Sequence, residues 1–328
     1  MVSSSPIVRW GVLSTAKIGM DKVTPAIQKA PNCEVVAIAS RDRQRAQDAS
    51  DRLGIEKAYG SYQEILEDAD VDAVYIPLPN DLHKEWVVNA AVAGKHVLCE
   101  KPISLTSRDA VVMADACLDA GVLLQEAFMY RHHPSWVETV RLVRSGSIGD
   151  LQAVQSWFSY YNDDPGNIRN QIRHGGGAIM DIGCYNINLS RLLFDDEPDS
   201  VRATIRTDPD LGVDIVTSAV LSFPGGGQST FTCSMRSYPF QRVNVVGTEG
   251  RIEIEIPFNI PPDVETRIRV TNAETAQGGQ ILRFPPADQY AIQAELFAAA
   301  ITSGADAPVP AADAIANMAT IEAVLSAG

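Results

Sequence analysis

The chain has 328 residues, of which 45% are apolar and 21% are charged. This length exceeds the roughly 100 to 200 residues of one typical domain and predicts two domains. The composition is that of a globular protein and excludes a disordered chain, a collagen-like fibre and a coiled coil. Its 41 acidic and 27 basic residues give a net charge of −14, which repels phosphate backbones and anionic membrane surfaces. Nucleic acid and membrane are therefore not expected as partners.

No apolar run approaches the roughly 18 to 20 residues that span a bilayer, and residues 1–6 lack the regions of a signal peptide. We therefore expect a soluble, cytoplasmic protein. The five cysteines are odd in number and scattered without metal-ligand spacing. This pattern favours buried thiols over a disulfide framework or a metal site.

Short apolar strands alternate with helical patterns in the N-terminal part. Strands are expected at residues 7–13, 34–39, 71–76, 96–99 and 122–126. Near-continuous apolar strands between helices are typical of a parallel sheet that is covered on both faces. Residues 1–126 are therefore predicted to form a doubly wound α/β domain that binds a dinucleotide.

The sequence pattern changes after residue 126. Helices are expected at 134–145 and 175–193, and alternating strand patterns with intervening turns run from 201 to 270, as in an antiparallel meander. Two further helices, at 288–303 and 313–325, close the chain. Residues 127–328 are therefore assigned to a second, α+β domain.

A dinucleotide site needs small residues where the first strand turns into the first helix, because the backbone there approaches a pyrophosphate. Ser14, Ala16 and Gly19 stand where three glycines are usual. Taken alone, this segment fits a tight strand-to-helix turn as well as a cofactor site. Its place after the first strand of a doubly wound domain favours the cofactor. The expected contacts in this loop are Ser14, Thr15, Ala16, Ile18 and Gly19.

The residues after the second strand predict which cofactor binds. An Asp or Glu there would hold the ribose hydroxyls of NAD, whereas this chain has Ser40-Arg41-Asp42. Ser40 can donate a hydrogen bond, and Arg41 can pair with a 2′-phosphate while stacking on adenine. We therefore expect NADP, with NAD as the other candidate. The alternative is that Arg41 is a solvated charge at a helix start and that Asp42 binds the ribose.

Two further segments follow predicted strands, at the sheet edge where open α/β sheets bind ligands. They are Ile-Pro-Leu-Pro-Asn-Asp-Leu-His at 76–83 and Gly-Lys-His-Val-Leu-Cys-Glu-Lys-Pro at 94–102. The second segment places the ammonium of Lys101 near the nicotinamide. For His83, a helix-capping or core role is favoured over catalysis because a helix follows it directly.

Three motifs, in this order, resemble the glucose–fructose oxidoreductase and inositol dehydrogenase family, Gfo/Idh/MocA. They are Pro-Asn-x-x-His at 79–83, Gly-Lys-His-Val-x-x-Glu-Lys-Pro at 94–102 and Gly-Gly-Gly-Ala-x-x-Asp-x-Gly at 175–183. The resemblance covers nearly the whole chain. It implies a Rossmann domain, a second domain built on an open, largely antiparallel sheet, and nicotinamide-dependent chemistry on sugars or polyols. That sheet commonly forms the subunit contact, so a homodimer or homotetramer is expected.

Within the third motif, many members carry a His four residues after the Asp and a second Asp three residues further on. Here Tyr185 stands in the His position and Asn188 in the second Asp position, after Asp181. With a tyrosine at this position, the chain resembles the branch that contains glucose–fructose oxidoreductase, NADP-dependent xylose dehydrogenases and dihydrodiol dehydrogenases. It argues against the inositol dehydrogenase branch.

The resemblance also implies further site residues. Arg169 matches the family's arginine near the cofactor or substrate, although the Trp that often precedes it is Ile168 here. Tyr160 is expected to line the sugar pocket, and aromatic packing at a strand end is the equal alternative. Beyond the first loop and Ser40 and Arg41, the expected cofactor contacts are Pro77, Leu78, Asn80, His83, Glu100, Lys101 and Arg169.

The residue types also fit the chemistry. Oxidation of an alcohol requires a base for the hydroxyl proton, and a free tyrosine, with a pKa of about 10, is a poor base at neutral pH. A nearby ammonium such as Lys101 favours the phenolate. Tyr185 is therefore expected as the acid/base, Lys101 as its partner and Asp181 as a substrate-orienting carboxylate; Lys101, Tyr160, Asp181 and Tyr185 would bind the substrate. The alternative for Tyr185 is a core aromatic, but Asp181 four residues earlier makes that helix face polar.

The function expected first is an NADP-dependent aldose 1-dehydrogenase that converts a pyranose such as D-xylose or D-glucose to its lactone. The alternatives are a ketosugar reductase, a sugar–sugar oxidoreductase that retains its cofactor, a trans-dihydrodiol dehydrogenase and a non-catalytic NADP sensor. The presence of Lys101, Asp181 and Tyr185 together weighs against the sensor.

Overall fold

The computed structural model describes residues 6–275 and 278–328. The chain forms two compact units: the first is Met1–Met129 with Asp288–Ile315, and the second is Tyr130–Ala287 with Ala316–Gly328. This division differs from the expected domains, 1–126 and 127–328, chiefly in grouping Asp288–Ile315 with the N-terminal part. No helix in the described ranges is long and apolar enough to cross a membrane.

The first unit contains a six-stranded parallel sheet. Its strand order is β3-β2-β1-β4-β5-β6, which is the order of a doubly wound dinucleotide-binding fold. The strands are β1 Val8–Leu13, β2 Cys33–Ala39, β3 Lys57–Tyr59, β4 Ala73–Ile76, β5 His96–Cys99 and β6 Leu124–Glu126. The predicted doubly wound sheet is confirmed, and its parallel strands place their carboxyl ends, with the loops that follow them, at one edge.

The helices of the first unit begin at residues that can cap them. Asp42, Ser61 and Thr106 each accept hydrogen bonds from backbone N–H groups of the first turn that follows, which satisfies donors that a helix start leaves unpaired. The helical elements are Gly19–Val23, which is a π-helix, Thr24–Ile27, Arg43–Leu53, Tyr62–Glu67, Asn80–Val92, Ser107–Asp119 and Gln289–Ser303.

The Gln289–Ser303 helix joins the first unit through apolar packing. Phe297 is fully buried, and its ring centroid lies 5.8 Å from that of Trp10 in β1. Ala294 and Ala298 are buried in the same core as Trp10 and Ile27. Burial of these large side chains explains why a segment from late in the chain belongs to the N-terminal sheet.

The second unit contains an eight-stranded sheet with the order β14-β13-β12-β11-β7-β10-β9-β8. All its pairs are antiparallel except β7 with β10, which is parallel. The strands are β7 Leu151–Tyr161, β8 Ser200–Thr207, β9 Asp214–Ser222, β10 Gln228–Ser234, β11 Arg236–Gly247, β12 Gly250–Ile254, β13 Thr266–Asn272 and β14 Gln280–Phe284. The expected open, largely antiparallel sheet is confirmed.

The remaining helical elements are the helices Pro134–Arg144, Cys184–Phe194 and Ala311–Ser326, the π-helix Ile179–Gly183, and the short turns Met129–His132, Ile168–Asn170, Ile172–His174 and Pro224–Gly226. Side chains along β7 alternate between buried Val154 and Phe158 and exposed Gln155 and Trp157. One face of the sheet thus packs against the Cys184–Phe194 helix, and the other face carries exposed side chains.

Candidate active site

The loop after β1 has the geometry of a phosphate-binding turn. Ser14 has a φ of 144°, a backbone region that favours glycine. Its hydroxyl donates to the carbonyl of Pro77 (3.2 Å) and accepts from the N–H of Ala16 (3.0 Å). These two bonds hold the loop just before the Gly19–Val23 π-helix. A helix start in general presents backbone N–H groups that suit an anion. The loop that carries the predicted contacts Thr15, Ala16 and Ile18 therefore fits a pyrophosphate.

Asp42, which follows β2, acts as a helix cap in the structure. Its carboxylate accepts hydrogen bonds from the N–H groups of Gln44 (2.9 Å) and Arg45 (3.3 Å), so it caps the Arg43–Leu53 helix. Ser40 is buried, whereas Arg41 is exposed and lies beside the hydroxyl of Tyr62. The helix thus engages Asp42, and Arg41 remains exposed at this edge. This arrangement fits a 2′-phosphate better than a ribose bound by Asp42.

His83 ties together the loops that follow β4 and β5. The ring is fully buried, with Nε2 2.9 Å from the carbonyl of Leu78 and Nδ1 3.0 Å from that of Pro102. Burial lowers the pKa of His83. The ring therefore positions the two segments from inside the unit, and Asn80 begins the Asn80–Val92 helix between them.

The backbone around Lys101 is fixed by two buried or half-buried carboxylates. Glu100 accepts from the Tyr75 hydroxyl (2.7 Å) and from the N–H of Lys101 (3.3 Å). Glu126 accepts from the N–H of Ile103 (2.7 Å). The Lys101–Pro102 peptide bond is cis. Lys101 therefore sits on a well-defined loop at the carboxyl end of β5, the ligand-binding edge of such sheets.

The second unit brings three of the predicted residues together. The carboxylate of Asp181 accepts from Nε of Arg169 (2.9 Å) and from the hydroxyl of Tyr160 (2.5 Å). The Asp181 side chain is 13% exposed, so these partners balance a mostly buried charge. Burial and the neighbouring Asp181 raise the pKa of Tyr160, which keeps its proton on the phenol. This cluster offers a carboxylate, a phenol and a guanidinium to a polar ligand.

The loop that carries Arg169 is held by residues that the sequence analysis did not identify. Arg236 donates to the carbonyl of Asn162, to Oδ1 of Asn170 (3.3 Å) and to Asp208 (3.2 Å). Asn170 is buried and donates to the carbonyl of Asp164 (2.8 Å). Arg236 follows Asn162 by more than 70 positions, and no local pattern links them.

Tyr185 lies in an aromatic cluster. It is 5% exposed, and the rings of Phe258, Phe158 and Tyr130 lie 5.2, 5.7 and 6.0 Å from it between centroids. The hydroxyl of Tyr130 donates to Oδ1 of Asn188 (2.6 Å). Asn188, which the resemblance places at an Asp position, thus orients one wall of the cluster around Tyr185.

The candidate residues divide between the units. The loop residues at 14–19, Ser40, Arg41 and Lys101 belong to the first unit, whereas Tyr160, Arg169, Asp181 and Tyr185 belong to the second. The first group follows the strand ends of a dinucleotide fold. In the second, Asp181 joins Tyr160 and Arg169, whereas Tyr185 lies among aromatic rings. The roles expected for these residues stay predictions.

Two family models match the chain. Residues 8–128 match "Oxidoreductase family, NAD-binding Rossmann fold", and residues 136–253 match "GFO/IDH/MocA C-terminal domain". Together they cover most of the chain and bear out the resemblance carried by the three motifs. The chain belongs to the GFO/IDH/MocA oxidoreductase family.

Similar members of the GFO/IDH/MocA family act on sugars. The chain is 40% identical over 318 residues to the D-xylose 1-dehydrogenase (NADP(+)) 2 of Haloferax volcanii, covering 96% of this chain and 95% of the relative. It is 32% identical over 317 residues to the dTDP-3,4-didehydro-2,6-dideoxy-alpha-D-glucose 3-reductase of Actinomadura kijaniata, covering 97% and 94%.

Solved structures share the whole fold. A 3-ketoreductase from Actinomadura kijaniata in complex with NADP and TDP-benzene superposes with a TM-score of 0.91 at 32% identity, covering 98% of each chain. An aldose–aldose oxidoreductase from Caulobacter crescentus, complexed with glycerol, gives 0.89 at 28% identity, covering 98% of this chain and 97% of that one. The oxidoreductase class and the two-part architecture follow from these similarities.

The histidine that precedes the Pro134–Arg144 helix generates a pH prediction. His133 is fully buried, its Nδ1 accepts from the N–H of Ser135, and burial lowers its pKa to about 4. The unfolded chain therefore binds the proton more readily, so stability from this group is complete above pH 6.5 and is lost as pH falls towards 4. Replacement of His133 by Asn keeps a capping acceptor but removes the titration.

We expect the wild-type free energy of unfolding to fall between pH 7 and pH 5 by about 1–2 kcal/mol more than that of His133→Asn. Urea unfolding at both pH values measures this difference. Leu118→Ala, at a 78% exposed leucine that does not titrate, is the control and should keep the wild-type slope. Equal slopes for wild type and His133→Asn would contradict the prediction.

Proposed function

We propose that this protein is an NADP-dependent aldose 1-dehydrogenase that oxidises a pyranose such as D-xylose or D-glucose to its lactone. The observation that carries the proposal is the cluster in which Asp181 accepts hydrogen bonds from Tyr160 and Arg169. Asp181 lies four residues before Tyr185 on one helical segment. The cluster offers groups that bind sugar hydroxyls, and Tyr185 is a group that can exchange a proton. The 40% identity to a D-xylose 1-dehydrogenase over nearly the whole chain supports the same substrate class.

Each residue has a chemical role in the proposal. NADP, when bound, supplies the acceptor for the hydride that leaves the anomeric carbon. Tyr185 removes the proton of the anomeric hydroxyl, and Lys101 favours the phenolate form of Tyr185. Asp181 orients the sugar by accepting hydrogen bonds, while Tyr160 and Arg169 hold that carboxylate. Asp181, Tyr160 and Arg169 already stand hydrogen-bonded to one another, which reduces the reorganisation needed during the reaction.

The same proposal assigns the cofactor contacts. Ser14, Thr15, Ala16, Ile18 and Gly19 would surround the pyrophosphate, and Ser40 and Arg41 would bind the 2′-phosphate. Further contacts would come from the segments after β4 and β5, namely Pro77, Leu78, Asn80, Glu100 and Lys101. We assign His83 an indirect part, since both its ring nitrogens face backbone carbonyls.

A ketosugar reductase is the second candidate. The TM-score of 0.91 to a 3-ketoreductase with bound NADP and TDP-benzene favours it. The same residues would serve the reverse reaction, in which Tyr185 donates the proton. The similarity to an aldose–aldose oxidoreductase supports a variant in which the cofactor stays bound between two sugars. A trans-dihydrodiol dehydrogenase and a non-catalytic NADP sensor are the remaining alternatives.

Initial-rate measurements of nicotinamide absorbance with the purified protein distinguish these candidate functions. The assay uses NADP or NAD with a panel of aldoses, polyols and trans-dihydrodiols, and NADPH with ketosugars. NADP reduction by aldopyranoses alone supports the proposal. Oxidation of NADPH by ketosugars alone identifies the reductase. Binding of NADPH without turnover of any compound leaves the sensor.

Replacement of Tyr185 by Phe removes only the hydroxyl that would exchange the proton. We expect kcat with the best aldose to fall by about 10² or more, because positioned acid/base groups contribute that much. The Kd for NADPH, from fluorescence titration, should stay within about two-fold. Tyr238→Phe, at an 88% exposed tyrosine, is the control and should retain wild-type kcat. Near-normal turnover of Tyr185→Phe would reject the assigned role and favour Lys101.

Replacement of Arg41 by Ala tests the choice of NADP. We expect kcat/KM for NADP to fall by about 10-fold or more with little change for NAD, because one charge-assisted contact to the 2′-phosphate is lost. Arg45→Ala, at an exposed arginine in the first turn of the Arg43–Leu53 helix that follows Arg41, is the control. An equal loss for both cofactors would contradict a contact between Arg41 and the 2′-phosphate.

We also propose that a second copy of this chain covers the exposed face of the eight-stranded sheet. A groove of about 520 Å³ on this face is lined by Trp157, Phe240, Arg202 and Arg242 among small polar side chains. Aromatic residues and arginine are enriched at subunit interfaces. The proposal is a homodimer or a homotetramer.

Light scattering after size exclusion measures the mass of the assembly. We expect the wild-type protein to be a dimer or a tetramer and Trp157→Glu to shift towards monomer, because it buries a charge in the contact. Leu118→Glu, at a 78% exposed leucine of the first unit, should leave the mass unchanged. A monomeric wild type, or an unchanged Trp157→Glu assembly, would contradict this interface.

A further inference from the structure

A buried carboxylate from the sheet meets the start of the helical segment that carries Asp181 and Tyr185. Asp214, the first residue of β9, is 7% exposed. Its Oδ2 accepts a hydrogen bond from the backbone N–H of Ile179 (2.9 Å) and another from the hydroxyl of Thr217 (3.2 Å). Neither the roles assigned above nor the three sequence motifs involve Asp214.

The last glycine of Gly175-Gly176-Gly177 makes room for this carboxylate. Gly177 has a φ of 119°, and a Cβ at this position would collide with Oδ1 of Asp214. A side chain is therefore excluded both by backbone strain and by the carboxylate. The carbonyl of Gly177 in turn accepts from the N–H of Asp181 (3.0 Å). The contacts thus lead from Asp214, through Gly177, to the backbone of Asp181, the residue whose carboxylate is proposed to orient the sugar.

Asp214 supplies a cap that the segment itself lacks. Ala178 is the N-cap residue of the Ile179–Gly183 π-helix, and it makes no side-chain capping bond. A carboxylate suits this place because it accepts from N–H groups that a helix start leaves unpaired and interacts favourably with the helix dipole. The other end of the same turn is also fixed, since a Cβ at Gly183 would lie 3.0 Å from Sγ of Cys233 in β10. Two neighbouring strands therefore hold the turn.

Ionisation of the Asp214 carboxylate is energetically unfavourable at this buried position. Burial raises the pKa of Asp214 to about 6 despite the hydrogen bonds that it accepts. Asp214 adds to the raised pKa of its neighbour Cys233, and a thiol offers the carboxylate no positive partner. A group whose pKa rises on folding opposes stability when ionised, so folding stability alone does not account for an aspartate here.

We propose that Asp214 is a positioning residue for the reaction, and that it acts by fixing the first turn of the segment from which Asp181 and Tyr185 project. The proposal rests on the acid/base role proposed for Tyr185. Asp214 does not touch substrate or cofactor in this account. It sets the direction of the phenol and of the orienting carboxylate, to which proton transfer is sensitive at the scale of 1 Å.

Replacement of Asp214 by Asn keeps the size of the side chain but removes the charge and one acceptor oxygen. We expect kcat at pH 8 with the best sugar to fall about 10-fold and the KM for NADP to stay within about two-fold, because only the second unit's turn is disturbed. In the Tyr185→Phe background, the same replacement should lower kcat clearly less than in wild type, since one of the two positioned groups is already absent.

Asp288→Asn is the matched control, because Asp288 caps the Gln289–Ser303 helix of the first unit through the N–H groups of Tyr290 and Ala291. It should retain kcat. If Asp214→Asn does not yield folded protein, Thr217→Val removes one hydrogen bond from the same carboxylate and should lower kcat more in wild type than in Tyr185→Phe. A kcat within two-fold of wild type, or equal losses in both backgrounds, would overturn the proposal in favour of a purely structural role.

Hydrogen–deuterium exchange separates this proposal from the proposed function. Peptides covering residues 177–190 should exchange faster in Asp214→Asn, while peptides of the first unit keep wild-type protection. If the wild-type protein turns over no compound of the panel, the proposed function fails and the exchange result alone decides. Unchanged protection of 177–190 would then overturn the capping contact.

Discussion

Buried polar groups at the ends of the strands must find partners inside the protein, and this requirement positions the loops that carry the candidate site. In the first unit, His83 spans two backbone carbonyls and Glu126 accepts from the loop after Lys101. In the second, Asp181 is shared between Arg169 and Tyr160. An unpaired buried polar group would cost about 1–3 kcal/mol. The contacts that satisfy these groups therefore also determine where the reactive side chains stand.

Local patterns predict the first unit well because its signals are short in range. The His96–Cys99 strand has the predicted bounds. The Leu151–Tyr161 strand was not predicted, since Ser156 and Ser159 occupy buried positions where an apolar residue would mark the pattern. Its parallel pairing with β10 and the packing of Phe297 on Trp10 depend on contacts between distant parts of the chain, which periodicity does not encode.

Motifs with fixed spacing identify the residues of the candidate site but not the residues that hold them. Asp181 and Tyr185 stand out because they share one helix face next to a glycine run. Arg236 and Asp214 lie on strands far along the chain from their partners, and these contacts exist only in the folded sheet. Gly177 is a local trace of such a contact, and its reason becomes visible only with the carboxylate beside it.

Under the proposed function, two roles must be divided between a carboxylate and a phenol: orientation of the sugar hydroxyls and proton transfer. These contacts assign one role to each group. The two oxygens of Asp181 accept from a guanidinium and a phenol, so this group is held as a charge that orients hydroxyls. Tyr185, enclosed by aromatic rings, then carries the proton transfer. A phenol returns in reduction the proton that its phenolate takes in oxidation, so the same geometry serves both directions. The direction of reaction is then set by the energies of sugar and cofactor, and the protein's part is to hold one tyrosine equally well for either.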